Sequence, residues 1–437
     1  MSNLLSISPI DGRYFNKVKD LSQYFSEYAY FKFRLGVEIK YLQRLLITFS
    51  NKNSENIINE TNKIFINFNI NECIKIKEIE KKINHDVKAI EYYLQEKLEK
   101  FNINNYIHLG LTSQDINNTA NIIMLKKFTD NILIPTIQEV LTNIKTKILD
   151  KDYEQNMIGL THGQPATLTS MKEYFQVQYY RLNQELYKLI NYEFFTKFGG
   201  AVGNLNAHKS VYPNIDWNKW VKEFVEEDLK LNLQKYTFQI MNYESLVELF
   251  NIISRINSIL IDMSVDIWMY ISKEYFLYDN KGNVGSSTMP HKINPILFEN
   301  AEGNLIMANG IFETLSRKLP ISRWQRDLTD STIIRNFGVP FAHSIISYKN
   351  LITGLNRIKL NTEKISKDVK KNTLVSSEIL QTFLRKYNIP DAYELIKEIT
   401  QSHDKINIED LKIIIESFDW CNKIKLDMVN YLENFDR

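Results

Sequence analysis

Two adjacent hydroxyls, Ser286 and Ser287, stand a few residues ahead of an imidazole (His291), an ammonium (Lys292) and an amide (Asn294) in the stretch DNKGNVGSSTMPHKINPILFENAEGN, residues 279–304. Gly282 and Gly285, with no run of large apolar residues between them, make the first half costly to order, so a mobile loop is expected there. Asn294 followed by Pro295 offers a side-chain cap and then a residue tolerated at the first helical position, so a helix is expected to follow. A helix start exposes N–H groups with no intrahelical partner, and beside Lys292 these suit a bound carboxylate. Serine is a very weak acid, and it acts as a base or nucleophile only where positive charge or oriented donors stabilise its oxyanion. Lys292 and the helix start can supply both.

Four further stretches carry candidate chemistry. In NHDVKAIEYYLQEKLEK, Asn84 reads as an N-cap, Val87, Ile90, Tyr93, Leu94 and Leu98 keep helical spacing, and His85 and Asp86 then fall on an exposed first turn. In HLGLTSQDINNTANIIMLKK, Thr112 and Asp115 have capping-box spacing, which presents the hydroxyls of Thr112 and Ser113 beside free N–H groups. In LTHGQPATLTSMKEYF, His162 lies on a short turn before Pro165, with a helix beginning soon after. Arg323, Arg326 and Arg335 cluster in LPISRWQRDLTDSTIIRNFGVP, where Ser331 and Arg335 share one face of a helix starting near Asp330. A hydroxyl and a guanidinium at a helix start suit phosphate.

The elements that must position these groups are long helices, because Gly and Pro number only 14 and 9 in 437 residues. The stretches Tyr24–Thr48, Leu168–Phe195 and Glu244–Phe276 read as helical, with a polar interval at residues 51–62. Residues 244–276 would span about 50 Å as one helix at 1.5 Å per residue. Their polar residues form no broad face, so burial on most sides, inside a bundle and at a subunit interface, is expected. The helix from Ser113 should run to about Asp150 with a kink at Pro135, and Gly199, Gly200 and Gly203 mark a turn. From about Asn361 the chain shifts to shorter Lys/Glu-rich helices with breaks near 388–390 and 402–407.

The length predicts two to four domains. With 54 basic against 52 acidic residues and a net charge of +2, nothing in the charge pattern argues for nucleic acid or a membrane surface as partner. Cys73 and Cys421 stand far apart and without metal-ligand spacing, so neither a disulfide framework nor a thiolate site is expected, and a reducing cytoplasm fits. The N-terminal residues show no basic start with an apolar core, and no stretch of 18 uncharged apolar residues occurs, so neither export nor a membrane span is expected.

GSSTMPHKINP resembles the signature loop of the fumarase/aspartase superfamily, whose pattern is GSSxMPxKxNP. TSQDINNT, THGQPAT and GSSTMPHKINP also occur in the superfamily's order. Within it, NHDVKAIEYYL, THGQPAT, SRWQRDLTDSTIIRN and the early GRY resemble the adenylosuccinate lyase family in its bacterial form, over nearly the whole chain. The resemblance implies an all-α, three-domain fold with a central long-helix bundle forming the core of a homotetramer. Residues 1–110 would be an N-terminal helical domain with nucleotide-binding residues, 111–360 the bundle with the catalytic motifs, and 361–437 a small helical domain. It implies loss of fumarate from adenylosuccinate to give AMP, and from succinyl-aminoimidazole-carboxamide ribotide (SAICAR) to give AICAR, in purine biosynthesis.

Carried over by position, Ser286 would be the base and His162 the acid, with Lys292, Asn294, Thr112, Ser113 and Ser287 around the carboxylate. Glu299 would pair with an active-site histidine, and Arg13, Tyr14, Arg326, Ser331 and Arg335 would hold the nucleotide and its phosphate. His85, Asp86 and Gln239 would complete the pocket, with Val87, Ile293, Asn300, Thr332, Ile333 and Ile334 as further substrate-contacting positions. The residues alone do not separate Ser286 from Ser287 as base, since both adjoin the same charges. The resemblance implies no cofactor and no metal, because fixed donors stabilise the developing charge. Small-molecule nucleotides would be the partners, at sites shared between subunits. A sister lyase acting on argininosuccinate, aspartate or malate would share the loop but have little use for a phosphate-binding Ser331–Arg335 pair. A non-enzymatic relative, such as a lens structural protein, would have no need of intact His162, Ser286 and Lys292.

Overall fold

Ser26 adopts an extended conformation and its hydroxyl accepts the Ala29 N–H at 3.2 Å, so the chain enters the helix Glu27–Thr48 there, and the Tyr24–Thr48 stretch is interrupted at its start. The computed structural model, which describes residues 3–151, 153–279, 288–289, 291–401 and 406–435, is built mostly of such helices. Its strands are confined to three two-stranded sheets among the described residues. No helix among the described residues is long and apolar enough to cross a membrane.

The chain divides into two units, one of Met1–Gln138, Glu185–Leu260 and Gly303–Lys349, the other of Glu139–Gln184, Ile261–Glu302 and Asn350–Arg437. The helices Glu244–Ser272, Ile296–Lys318 and Gly338–Leu355 each contribute residues to both. In the first unit, Phe31, Leu35, Leu42 and Leu46 of Glu27–Thr48 pack with Ile57, Ile76, Ile90, Leu94 and Leu98 from the next three helices. The interval at 51–62, read from sequence as a polar separator, is largely the helix Ser54–Ile66: its Ile57 and Thr61 are buried, and the asparagines occupy its solvent face.

Asn84 does not cap the following helix. It ends Ile70–Ile83 in the left-handed conformation (φ 55°), and His85 is the N-cap of Asp86–Leu98, its Nδ1 accepting the Lys88 N–H at 3.0 Å. Asparagine tolerates positive φ better than histidine, so the two residues divide the junction this way. The helix Ser113–Phe128 continues through a π turn at Thr129–Leu133 into Ile134–Ile144, and the expected irregularity at Pro135 takes that form. Widening the preceding turn relieves the clash between the pyrrolidine ring and the carbonyl four residues back.

In the second unit, residues 168–195 are not one helix: Gln164–Ser170 is the second strand of a hairpin with Asn156–Thr161, and the helix is Met171–Ile190. Met157 and Ile158 are buried at the hairpin base, where Ile158 clusters with Val369, Val375 and Phe435. The run from Glu244 ends as a helix at Ser272, after 29 residues. Glu274 turns with φ 63°, and Phe276–Tyr278 pairs antiparallel with Ile358–Leu360, which buries Tyr275 and Phe276. Leu380, Leu384, Ile396, Leu411 and Met428 form the core of the short C-terminal helices.

Candidate active site

The capping box at Thr112 forms as its spacing predicts, but its acid reaches further than the box. One Asp115 oxygen accepts the Thr112 N–H at 2.9 Å, and the carboxylate also accepts from Gly199 N at 2.8 Å and Gly200 N at 3.1 Å and pairs with Lys197 Nζ at 2.6 Å. Both side chains of the pair are fully buried. Lys197 Nζ donates in addition to the Gly200 carbonyl at 3.0 Å. Burial pushes the Lys197 ammonium below its ordinary value, with Asp115 opposing the shift. The start of helix Ser113–Phe128 is thereby tied to the glycine turn at 199–203. Gly203 has φ 82°, and a Cβ there would fall 2.0 Å from the Thr237 carbonyl oxygen, so only glycine fits.

That turn carries the next contact outward. Gln239 Nε2 donates to the Ala201 carbonyl at 2.9 Å, and its Oε1 accepts from Arg326 Nη1 at 2.9 Å. Arg326 Nη2 donates to Ser331 Oγ at 3.2 Å, and Gln114 Nε2 reaches the same oxygen at 3.3 Å. Behind Ser331, the buried Asp330 accepts the Ser331 N–H at 2.7 Å and the Tyr243 hydroxyl at 2.9 Å. Asn118 bonds both Gln114 and Tyr243, which closes the network.

A cavity of about 340 Å³ opens in front of these groups. His85, Asp86, Ser113, Gln114, Arg326, Ser331 and Arg335 line it, together with Tyr30 and Arg34. His85 Nε2 lies 3.5 Å from Ser113 Oγ. Asp86 accepts Val87 N–H through Oδ1 at 2.9 Å, while Oδ2 meets Arg34 at 2.9 Å and Arg335 at 3.5 Å. Burial alone would raise the Asp86 carboxyl, but Arg34, the Val87 N–H and Arg335 outweigh it and hold it below its usual value. Of the other positions marked in the sequence, Ile334 is buried in the cavity wall, Val87 is buried, Ile333 is half-buried and Thr332 faces solvent. Arg13 and Tyr14 stay outside this cavity. They belong to the N-terminal segment whose Asp11 and Phe15 border a second cavity, which shares only Arg335 with the first.

The second unit holds the other motifs. His162 and Gly163, with φ 54° and 75°, are the two-residue turn between Thr161 and Gln164, and the imidazole stands exposed at the hairpin tip. Positive φ at both central residues is what a tight hairpin turn of matching twist requires. Lys292 and Ile293 are exposed just ahead of the helix Ile296–Lys318, in whose first turn the Phe298 and Glu299 N–H groups bond to the Pro295 carbonyl at 3.0 and 3.5 Å. Glu299, in the first turn, accepts the Trp268 indole N–H at 3.0 Å, and Asn300 is bonded by Asn350. Ser286, Ser287 and most of the loop read as mobile lie outside the described residues.

Residues 12–310 match the model of a lyase family, and residues 322–433 match that of the adenylosuccinate lyase C-terminal domain. The chain is 44% identical over 443 residues to an adenylosuccinate lyase of Dictyostelium discoideum, covering 98% of this chain and 95% of that one. It is 42% identical to an adenylosuccinate lyase of Vibrio cholerae over 410 residues, covering 92% and 90%. The chain belongs to the adenylosuccinate lyase family. Adenylosuccinate lyases are carbon–nitrogen lyases of the fumarase/aspartase superfamily, and this chain is a lyase of that kind. Solved structures agree at the level of fold: a fumarate lyase from Mesorhizobium superposes with a TM-score of 0.76 at 13% identity, over 95% of this chain and 94% of that one. A β-carboxy-cis,cis-muconate cycloisomerase from Acinetobacter calcoaceticus gives 0.73 at 16% identity, over 96% and 94%.

Several residues that shape this lyase's cavity are absent from the sequence reading. Arg34 sits mid-helix with no local signal, and Lys197 precedes a diglycine with nothing to mark it as buried. Asp115 was legible as a cap but not as an ion-pair partner 82 residues from Lys197.

Proposed function

We propose that the chain catalyses β-elimination of fumarate from adenylosuccinate to give AMP, and from SAICAR to give AICAR, as a cytoplasmic homotetramer with sites shared between subunits. The observation that carries this reading is the cavity wall on which Arg326, Ser331 and Arg335 converge beside the hydroxyl of Ser113. Two guanidiniums and a hydroxyl suit a phosphate, and a helix-start hydroxyl suits a carboxylate, so one cavity has a place for each anionic end of a succinylated nucleotide.

In the step proposed, Ser286 takes a proton from the succinyl carbon next to the carboxylate that is not bonded to nitrogen. The electrons of that C–H bond form the new C=C bond as the C–N bond breaks. The nitrogen leaves with a proton supplied by His162. Negative charge grows on the adjoining carboxylate, and Lys292, Asn294, Thr112, Ser113 and Ser287 are the donors assigned to it. Glu299 orients an active-site histidine; His85, Asp86 and Gln239 hold the nucleotide. Exposed apolar residues on long helices support assembly: Val177, Tyr180 and Tyr187 on Met171–Ile190, and Ile306 and Met307 on Ile296–Lys318, are more than half exposed in the single chain.

The test is fumarate release followed by absorbance, with adenylosuccinate and its dephosphorylated counterpart. Turnover of the first with kcat/KM at least about a hundredfold above the second is expected, since loss of charge-assisted phosphate contacts is worth about 3 kcal/mol or more. Equal turnover of both, or preference for argininosuccinate, aspartate or malate, refutes the assignment.

A further inference from the structure

Asp86 faces two guanidiniums, and they are not equivalent. Arg34 comes from the helix Glu27–Thr48, its side chain only 7% exposed, and its Nη1 sits 2.9 Å from Asp86 Oδ2. Arg335 approaches the same oxygen at 3.5 Å and is 60% exposed. The other carboxylate oxygen is taken by the Val87 N–H. The buried guanidinium is also held from below: its carbon lies 5.2 Å from the Tyr30 ring centre, and the Tyr30 hydroxyl donates to the Ile334 carbonyl at 3.2 Å, one residue before Arg335. Among the described residues Arg34 Nε has no hydrogen-bond partner, so packing and the Asp86 charge fix this side chain.

A lone carboxylate beside Arg335 would compete with any anion for that guanidinium, and it would repel the anion as well. We propose that Arg34 is a positioning residue that neutralises Asp86 and so keeps Arg335 available to the phosphate of the substrate, an inference that rests on the phosphate assignment above. Asp86 can then hold its place in the cavity wall without cancelling the positive charge on which phosphate affinity depends. Arg34 acts through Asp86 and Arg335 and does not itself touch the ligand.

The measurement is the ratio of inhibition constants for adenosine and AMP, which isolates the contribution of the phosphate. Arg34→Met should lower this ratio about tenfold while changing adenosine affinity less than about twofold, the scale expected when a charge-assisted contact gains a competitor. In an Asp86→Asn background the same substitution should change the ratio less than about twofold, because the competing charge is gone. An undiminished ratio in Arg34→Met overturns the proposal. So does an equal tenfold fall in the Asp86→Asn background, which would place Arg34 on the phosphate directly. Should Arg34→Met fail to fold, Arg34→Gln, which keeps a donor toward Asp86 without the charge, must show a fall in the ratio with the same dependence on Asp86. Arg335→Ala tests the underlying reading separately: a ratio unchanged by that substitution overturns the phosphate assignment, whatever the Arg34 variants show.

Discussion

Lys197→Met removes one member of a fully buried ion pair, and the structure sets how much that costs. Losing one partner of such a pair ordinarily costs about 3–5 kcal/mol, because the other charge is left without compensation. Here the Asp115 carboxylate keeps the N–H groups of Thr112, Gly199 and Gly200, so the loss should sit near the lower end, about 3 kcal/mol. Asp115→Asn is the harsher change. Lys197 then keeps only neutral acceptors, the Gly200 carbonyl and the new amide oxygen, and a buried ammonium left without its counter-charge costs about 3–5 kcal/mol. The same three N–H groups also lose a charged acceptor, for a total of about 5–7 kcal/mol. In the double variant neither charge remains, and the cost should fall well short of the sum, with a coupling of about 3 kcal/mol or more. Urea unfolding followed by fluorescence of the buried Trp217 and Trp220 reads all four proteins. Effects that add within about 0.5 kcal/mol would refute the reasoning. The pH dependence gives a second check. In Asp115→Asn the folded lysine binds fewer protons than the unfolded one, so stability should rise with pH between the depressed folded value and about 10.4.

Ser286→Ala should lower kcat by about 10²–10⁴ with substrate affinity kept within about tenfold, while Ser287→Ala should chiefly raise KM. A dead Ser287→Ala beside a near-normal Ser286→Ala would reverse the two roles. His108 is pulled down by burial but pushed up more by Glu38, whose carboxylate lies 2.5 Å from Nδ1, and its pKa ends above the ordinary value. A raised folded pKa gives stability that is complete below an unfolded value of about 6.5 and is lost as pH rises through the folded value. The thermal midpoint of the wild type should therefore fall more steeply above pH 6.5 than that of His108→Gln, and parallel curves would count against the pair. Inactive His162→Ala and Ser286→Ala proteins, unfolded together and refolded as a mixture, should regain about one quarter of wild-type activity if each site draws the two residues from different subunits. A mixture that stays inactive although mixed oligomers form would place both residues on one chain.

How much was legible in the sequence depended on how local each signal was. The box at Thr112 and Asp115, the break near Asn388–Pro390 and the helix from Ile296 rest on spacings of a few residues, and each is present or lies within a residue of its place. Leu168–Ser170 misled because a strand leading straight into a helix leaves no Gly or Pro between them. The end of Glu244–Ser272 misled for a similar reason: Tyr275 and Phe276 look like more of the same apolar run, yet they are buried by pairing with Ile358–Leu360, more than 80 residues on. At the cavity, Ser113, Ser331, Arg326 and Arg335 could be chosen by type and helix position. Arg34 and Lys197 could not, because what distinguishes them from the chain's other cations is burial against an acid distant in sequence.

The cavity follows one arrangement twice, and this explains why its supporting residues escape a local reading. A hydroxyl faces the cavity and a buried acid stands close by in sequence: Asp115 two residues after Ser113, and Asp330 one residue before Ser331. Asp115 is spent on three backbone N–H groups and on the distant Lys197, and Asp330 on the Ser331 N–H and the distant Tyr243 hydroxyl. Burying a carboxylate is unfavourable unless it is paired, so an apolar residue in either place would make a simpler core. What the acids add is orientation, because a charged acceptor holds several donors at once and fixes the turn that carries the hydroxyl. Asn118 and Gln114 then link the two assemblies through Tyr243 and Ser331, so a shift at one helix start is transmitted to the other. Arg34 and Asp86 extend the same logic to the third wall, with the charges reversed: both border the cavity there, and the more deeply buried of the two is the cation. In all three places the group offered to a ligand is held by a charge the ligand does not need to touch.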